Sequence, residues 1–186
     1  MKNRIILITG PKHSGKSLCA RALGKITGID VLDLDEVVEK QTGKSPRELY
    51  KEGPEIFRKA ETLALVSLIQ GRKMETSTLP ERLIIAAGGG LIDNPEAVSL
   101  LSRHGETGIA YLDVSPETAW QRIVKTGGEL PPFLKTENPR VKPAETHFAL
   151  HERRAAAYKS LAHLGVQAEN KTPEEIAGEI ADYFML

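Results

Sequence analysis

The chain carries the pattern G-x-x-x-x-G-K-[ST] shortly after an apolar run at residues 5–8. In such a loop the backbone N–H groups, together with the positive end of the following helix, hold phosphate oxygens. The lysine reaches the β and γ phosphates of a nucleotide, and the final hydroxyl ligates Mg²⁺. We therefore expect ATP to be bound by the loop and the residue after it, which are Lys12, His13, Ser14, Gly15, Lys16, Ser17 and Leu18.

Two carboxylates follow at the end of a second apolar stretch, residues 31–34, where Asp33 and Asp35 are separated by one residue. Such a pair shares a face of a strand, or its rim. One carboxylate can support Mg²⁺ through water, while the other accepts a hydrogen bond from an acceptor hydroxyl and acts as its base. The alternative is that Asp35 only caps a helix beginning at Glu36.

Three glycines and two arginines are candidates for holding the acceptor. Gly88, Gly89 and Gly90 follow a third apolar stretch and allow close approach of backbone to a ligand. Arg58 and Arg154 can each bind a carboxylate in a two-pronged fork, which would suit an anionic acceptor. Taken alone, each arginine also fits a solvated position on a helix.

These groups need an α/β scaffold to bring them together. Strands are predicted at residues 5–8, 31–34, 83–87, 108–113 and 166–168. Helices are predicted at 18–25 and 54–72, with further starts at Ser115 and Thr172, where a capping residue precedes proline and glutamate. The apolar face of the 54–72 helix is expected to consist of the residues at helical spacing, which are Ile56, Phe57, Ala60, Leu63, Ala64 and Leu68. Alternating strands and helices predict a parallel sheet wrapped by helices, with ligands beyond the carboxyl ends of the strands. The proline-rich stretch from about 127 to 144 is interpreted as a lid.

Composition limits the class of protein. The chain has 186 residues, which suits a single domain over 1–186, and 25 basic against 25 acidic residues give no reason to expect nucleic acid or a membrane as partner. No apolar run is long enough for a signal sequence or a membrane span, so a cytoplasmic location is expected. Cys19, the one cysteine, is expected to be a buried apolar side chain of the first helix.

Taken together, the motifs resemble those of the shikimate kinases, which belong to the nucleoside monophosphate kinase group of the P-loop fold. The resemblance covers almost the whole chain. Besides the phosphate loop it includes Asp33-Leu34-Asp35, the G-x-x-x-F-R-x-x-E segment at 53–61, the glycine triplet, Lys125-Thr126-Gly127-Gly128 and Arg154-Ala155-Ala156-Ala157-Tyr158.

The resemblance implies a three-layer fold with a five-stranded parallel sheet and a lid, and phosphorylation of the 3-hydroxyl of shikimate by ATP with Mg²⁺. It implies that Asp35 binds the acceptor hydroxyls and is the base, and that Asp33 and Ser17 serve the metal. Arg58 and Arg154 would bind the shikimate carboxylate, and the glycine triplet would line the ring. Lys125 and Pro173 would flank adenine. A monomer is the expectation that the family provides.

The chain departs from the family at the lid. Shikimate kinases resemble one another in an Arg-Pro-Leu-Leu segment whose arginine reaches the transferring phosphate, but this chain reads Leu130-Pro131-Pro132-Phe133-Leu134. Such an arginine contributes roughly 10³ to 10⁵ in kcat. Lys135, Arg140 or Lys12 are the candidates to replace it.

Two other functions stay open at this point. One is a kinase of the same architecture that phosphorylates another hydroxy acid, such as gluconate. The other is a protein that binds ATP with little or no turnover, which the lid departure would favour. His147 and His151 have the helical spacing of a zinc pair, but they lack a third ligand in the sequence pattern, so no zinc site is predicted.

Overall fold

A five-stranded, all-parallel sheet forms the centre of the fold, as predicted. The computed structural model describes residues 4–70, 80–126, 134 and 142–186. Its strands are β1 (Ile5–Thr9), β2 (Asp30–Asp33), β3 (Leu83–Ala86), β4 (Thr107–Asp113) and β5 (Leu164–Gln167). They lie in the order β2-β3-β1-β4-β5, so β1 and the phosphate loop that follows it stand at the middle of the sheet.

Helices cover both faces of this sheet. In chain order they are α1 (Lys16–Thr27), α2 (Leu34–Thr42), α3 (Pro46–Glu52), α4 (Pro54–Gln70), α5 (Pro95–Arg103), α6 (Pro116–Thr126), α7 (Pro143–Leu161) and α8 (Pro173–Phe184). A short 3₁₀ turn, Leu91–Asp93, precedes α5.

The alternation of side chains along β1 divides the core in two. Ile6 and Ile8 pack on one face with residues of α1 and α8, whereas Ile5 and Leu7 pack on the other with residues of α2, α4 and α5. All of β1 is buried. Burial on both faces explains why the strand reads as a continuous apolar run, and it confirms the three-layer arrangement.

The predicted helix starts are confirmed. Thr172 caps α8 and forms a capping box with Glu175, with Pro173 in the first turn. The Ser115 hydroxyl accepts a hydrogen bond from the Thr118 N–H at the start of α6. Cys19 is fully buried in α1, as expected, and burial raises the pKa of its thiol to about 12.

The start of α2 differs from the prediction. The helix begins at Leu34, and its cap is Asp33, whose Oδ1 accepts the Asp35 N–H at 3.0 Å. The idea that Asp35 caps a helix beginning at Glu36 is therefore wrong. Asp35 lies in the first turn of α2, so the two carboxylates stand at a strand-to-helix junction and not along a strand.

The buried face of α4 also differs in part. Ala64 and Leu68 are buried as expected, but Ile56 and Leu63 are 41% and 56% exposed. The buried positions are Glu61, Ala64, Leu65, Leu68 and Ile69. Their spacing follows one stripe of the helix, and the sequence pattern alone did not separate that stripe from its neighbour.

Most of the predicted lid, including Lys135 and Arg140, lies outside the described residues. Within the described ranges, no helix combines the length and the apolar character that crossing a bilayer requires.

Candidate active site

The phosphate loop connects β1 to α1 and is braced by close backbone contacts. Gly10 has φ +148°, and a Cβ there would lie 2.7 Å from the Leu112 carbonyl oxygen. Gly15 has φ +97° and stands just before α1. Both positions therefore favour glycine. His13 adopts φ 61°, which is unusual for a residue with a side chain.

Lys16 is the first residue of α1 and points back into the loop. Its Nζ donates to the Pro11 carbonyl oxygen at 2.7 Å. Withdrawal from water lowers the pKa of Lys16 to about 8, although the charges of Asp35 and Asp33 oppose the shift. The negative charge of a triphosphate would favour the protonated form, so this lysine suits a phosphate ligand.

Ser17 and Asp33 meet as predicted for the metal. The Ser17 hydroxyl donates to Asp33 Oδ2 at 3.0 Å. A hydroxyl and a carboxylate are oxygen ligands of the kind that Mg²⁺ prefers, with phosphate and water completing its shell. The described residues contain no cluster of three or more His, Cys, Asp or Glu that would hold a metal without a nucleotide. The hydroxyl and the carboxylate are compatible with Mg²⁺ bound together with the phosphates of a nucleotide.

Asp35 faces the same cavity as Lys16. Burial, and then the charge of Asp33, raise the pKa of Asp35, while Lys16 and Lys12 act in the opposite direction. Its Oδ1 lies 3.2 Å from the position of a Cβ on Gly88. A carboxylate with a raised pKa is a better proton acceptor than an ordinary one, as long as it is ionised at working pH.

Each glycine of the triplet faces a different part of the site. A Cβ on Gly88 would approach Asp35, and one on Gly89 would lie 3.0 Å from the Lys12 backbone N. A Cβ on Gly90 would lie 3.7 Å from Arg154 Nη2. The triplet thus leaves room for Asp35, the phosphate loop and an arginine of α7.

These groups surround one cavity of about 310 Å³. Its wall includes every residue predicted to hold the acceptor, which are Asp35, Arg58, Gly88, Gly89, Gly90 and Arg154, together with Lys12, His13, Lys16, Ser17 and Asp33. The cavity is large enough for a small ligand, and the phosphate loop and the two arginines border the same space.

Asp93 and Glu61 are further acidic residues in this wall. Asp93 pairs with Arg154, with Nε at 2.9 Å and Nη2 at 2.5 Å from Oδ2. Glu61 Oε2 accepts a hydrogen bond from Asn94 Nδ2 at 2.9 Å, and burial raises the pKa of Glu61 to about 7. Sequence reasoning missed Asp93, and it noted Glu61 only as part of a motif.

Two residues of the surrounding helices also brace the site without having been predicted. The Tyr158 hydroxyl donates to the Gly89 carbonyl oxygen at 2.7 Å, and its ring stacks on Tyr111 with centroids 5.0 Å apart. Arg122 of α6 donates from Nη1 to the His13 carbonyl oxygen at 3.1 Å. Neither contact has a signal in the sequence beyond the presence of the residue.

The remaining predicted nucleotide contacts lie outside the cavity wall. Lys125 is exposed in the last turn of α6, and Pro173 opens α8. Leu18 is 55% exposed on the first turn of α1, and Ser14 is buried in the loop.

His147 and His151 are buried neighbours on α7, with ring centroids 5.7 Å apart. His147 Nε2 lies 2.9 Å from the Pro116 carbonyl oxygen, so this ring nitrogen donates to the backbone. Burial lowers the pKa of both rings. The pair packs α7 against α6.

Comparison with known proteins places this geometry in a family context. The profile of the shikimate kinases matches residues 12–184. A shikimate kinase of Thermus thermophilus is 32% identical over 178 residues, which are 95% of this chain and 88% of that protein. The structure of a shikimate kinase from Acinetobacter baumannii in complex with shikimate superposes with a TM-score of 0.78 at 27% identity, covering 98% of this chain and 93% of the other.

A second structural neighbour carries less information. A gluconokinase from Sinorhizobium meliloti superposes with a TM-score of 0.57 at 13% identity, covering 99% of this chain and 93% of the other. At that identity the likeness concerns the fold alone.

Proposed function

Since the chain belongs to the shikimate kinase family, it is an ATP-dependent kinase, and we propose that the cavity beside the phosphate loop is where shikimate is held and phosphorylated. One observation supports the proposal most strongly: the predicted acceptor residues and the phosphate loop border the same cavity. Asp35, Arg58 and Arg154 border the same 310 Å³ as Lys16 and the phosphate loop.

Arg58 and Arg154 hold the acceptor through its carboxylate. Arg58 comes from α4 and Arg154 from α7, and both side chains border the cavity. Two guanidinium groups can engage both carboxylate oxygens and so fix the orientation of the ring. That orientation brings one hydroxyl toward Asp35 and the phosphate loop.

Asp35 accepts the proton of the 3-hydroxyl as the hydroxyl oxygen attacks the γ-phosphorus of ATP. The bond between that phosphorus and the β–γ bridging oxygen breaks, and ADP leaves. The raised pKa of this carboxyl makes it a stronger base than an exposed aspartate. Lys16 and the N–H groups of the loop stabilise the charge that the phosphate oxygens carry during transfer.

Ser17 and Asp33 would hold Mg²⁺, which is supported by the contact between this hydroxyl and this carboxylate. When bound, it offsets charge on the β and γ phosphates. Lys12 of the phosphate loop also lines the cavity, and we assign to it part of the charge that the lid arginine supplies in other members of the family.

The deciding experiment is a coupled assay of ADP release with MgATP, with and without shikimate. Shikimate-dependent release is expected. Gluconate is the control acceptor, because the one observation in its favour is a likeness of fold. Release that depends on gluconate but not on shikimate, or ATP binding without release, would contradict the proposal.

Variants of the arginines test the acceptor site separately. Arg58→Ala and Arg154→Ala are expected to raise KM for shikimate at least tenfold, because each removes a charge-assisted hydrogen bond. KM for ATP is expected to change little.

A cytoplasmic, monomeric enzyme remains our proposal from the family resemblance, and sedimentation of the purified protein tests its oligomeric state.

A further inference from the structure

A chain of three charges runs from the surface of the protein to the cavity. Exposed Arg153 donates from Nη2 to Asp93 Oδ1 at 2.9 Å, and Arg154 donates to the other oxygen, Oδ2, from both Nε and Nη2. Exposed fractions of the side chains are 61% for Arg153, 11% for Asp93 and 13% for Arg154. Asp93 and Arg154 border the cavity, and Arg153 is not part of its wall.

The contact uses one particular edge of the Arg154 guanidinium. Nε and Nη2 both face Asp93 Oδ2, so the Nε–Nη2 edge is engaged within the protein. The two hydrogen bonds hold the guanidinium at the border of the cavity, where a carboxylate of the acceptor would meet it. A pair of hydrogen bonds to one side of a planar group also fixes the plane of that group.

Asp93 is itself held rigidly. It closes the 3₁₀ turn Leu91–Asp93, which follows the glycine triplet, and its N–H donates to the Gly90 carbonyl oxygen at 2.9 Å. Hydrogen bonds from Arg154 and Arg153 lower the pKa of Asp93, although burial alone would raise it. The carboxylate is therefore ionised at neutral pH.

We propose that Asp93 is a positioning residue for the acceptor: it holds Arg154 by the Nε–Nη2 edge and so fixes the guanidinium that binds the shikimate carboxylate. The inference rests on the proposed function, since it concerns the same arginine. Without Asp93, the long side chain of Arg154 regains rotamers that must be lost again on binding.

The negative charge of Asp93 does not cancel the benefit of a fixed Arg154, because Arg153 offsets that charge. A negative group close to the acceptor site would otherwise repel an anionic ligand. With Arg153 on its outer oxygen, the Asp93–Arg153 pair is close to neutral, and the charge of Arg154 is retained for the acceptor.

Steady-state kinetics with both substrates test the proposal. Asp93→Ala is expected to raise KM for shikimate about tenfold, with kcat within about threefold and KM for ATP within about twofold of wild type. Asp93→Asn is the second variant, because it keeps the shape of the side chain if the alanine variant fails to fold. Lys159→Gln is the matched control, because Lys159 is an exposed cation of α7 that pairs with Asp113 outside the cavity wall, and KM for shikimate is expected within about twofold.

A second readout separates positioning from general damage to the fold. Wild type is expected to prefer shikimate over its methyl ester by about 100-fold in kcat/KM, since the ester lacks the charged carboxylate. Asp93→Ala is expected to reduce this preference about tenfold, which a merely structural role would not do.

The outcomes distinguish the two proposals. If Arg154→Ala leaves KM for shikimate unchanged, the proposed acceptor site is wrong. If Arg154→Ala raises this KM and the Asp93 variants do not, only the role of Asp93 is overturned. A lower KM for shikimate in the Asp93 variants would also overturn it, since Asp93 would then compete with the acceptor for Arg154.

Discussion

The Ser17 hydroxyl donates a hydrogen bond to Asp33 Oδ2 at 3.0 Å, which joins the end of the phosphate loop to the end of β2. The other oxygen of Asp33 accepts the Asp35 N–H at 3.0 Å and so caps α2. One carboxylate therefore orients the hydroxyl proposed to ligate Mg²⁺ and also fixes the backbone of the proposed base.

Asp33→Asn is expected to raise the Mg²⁺ concentration for half-maximal activity about tenfold, the usual effect of losing a group that orients a metal ligand. Asparagine caps helices as well as aspartate does, so stability is expected to stay within about 0.5 kcal/mol of wild type. A titration of activity with Mg²⁺ at saturating ATP measures the effect. An unchanged Mg²⁺ requirement would exclude Asp33 from the metal site.

The raised pKa of Asp35 predicts how kcat/KM for shikimate falls at acid pH. Because the pKa of this carboxyl is raised from its ordinary value of 3.8, the base becomes protonated and kcat/KM for shikimate falls at a pH above that value. Asp35→Asn is expected to lower kcat at least 10²-fold and to leave ATP affinity nearly unchanged. Full turnover by this variant would rule out Asp35 as the base.

Glu61 predicts a pH dependence of stability. Its pKa is raised to about 7 in the folded protein from an ordinary value of 4.5, so the folded state binds more protons between these two values. The contribution of Glu61 to the free energy of unfolding is therefore fully present below pH 4.5 and is lost as pH rises toward 7.

Glu61→Gln removes this titration. Relative to wild type, the variant is expected to gain roughly 2 kcal/mol in the free energy of unfolding between pH 4.5 and pH 7.5. Urea unfolding at the two pH values measures the difference. A difference that does not change with pH would mean that Glu61 titrates near its ordinary pKa.

A side chain at position 89 is expected to have a steric effect on the phosphate loop. A Cβ there would lie 3.0 Å from the Lys12 backbone N and 3.2 Å from the Gly10 carbonyl oxygen, so Gly89→Ala must displace the phosphate loop. We expect KM for ATP to rise several-fold and stability to fall by about 1 to 3 kcal/mol.

Gly178→Ala is the matched control for that change. A Cβ at Gly178, in α8, would meet nothing within 4 Å. Alanine there is expected to stabilise the protein by up to about 1 kcal/mol without altering KM for ATP. Equal effects of the two substitutions on KM would exclude a specific contact at Gly89.

Removal of the Lys12 charge from the cavity is expected to change kcat. Lys12→Met is expected to lower kcat at least tenfold if this ammonium carries part of the role of the lid arginine. Lys25→Met, on an exposed position in the last turn of α1, is the control and is expected to keep wild-type kcat. Equal kcat in the two variants would assign the missing charge elsewhere.

The parts of the site that follow from local sequence could be predicted. The phosphate loop and the central strand β1 depend on short segments whose residue types and spacing determine their geometry. The pairing of Asp33 with Ser17 was implied by the family resemblance, and the order of the strands was not predicted. The continuous apolar run of β1 also predicted a strand buried on both faces, and both of its faces do meet helices.

The parts that depend on distant pairing could not. Asp93 meets Arg154 across 61 positions of chain, and no pattern in either segment indicates the partner. The Tyr158 hydroxyl finds the Gly89 carbonyl oxygen across 69 positions. The cap of α2 was misassigned by two residues, because both Asp33 and Asp35 are residue types that begin helices.

The contact between Gly89 and the phosphate loop fixes a distance within the site. The wall between the donor and acceptor sites consists there of peptide units, with no side chain from the triplet between them. Rotamers interconvert readily, whereas a backbone braced by Tyr158 does not. In the proposed complex, the separation of the two substrates would depend on packed backbone and not on a side-chain rotamer, which suits a transfer that depends on an alignment within a few tenths of an ångström.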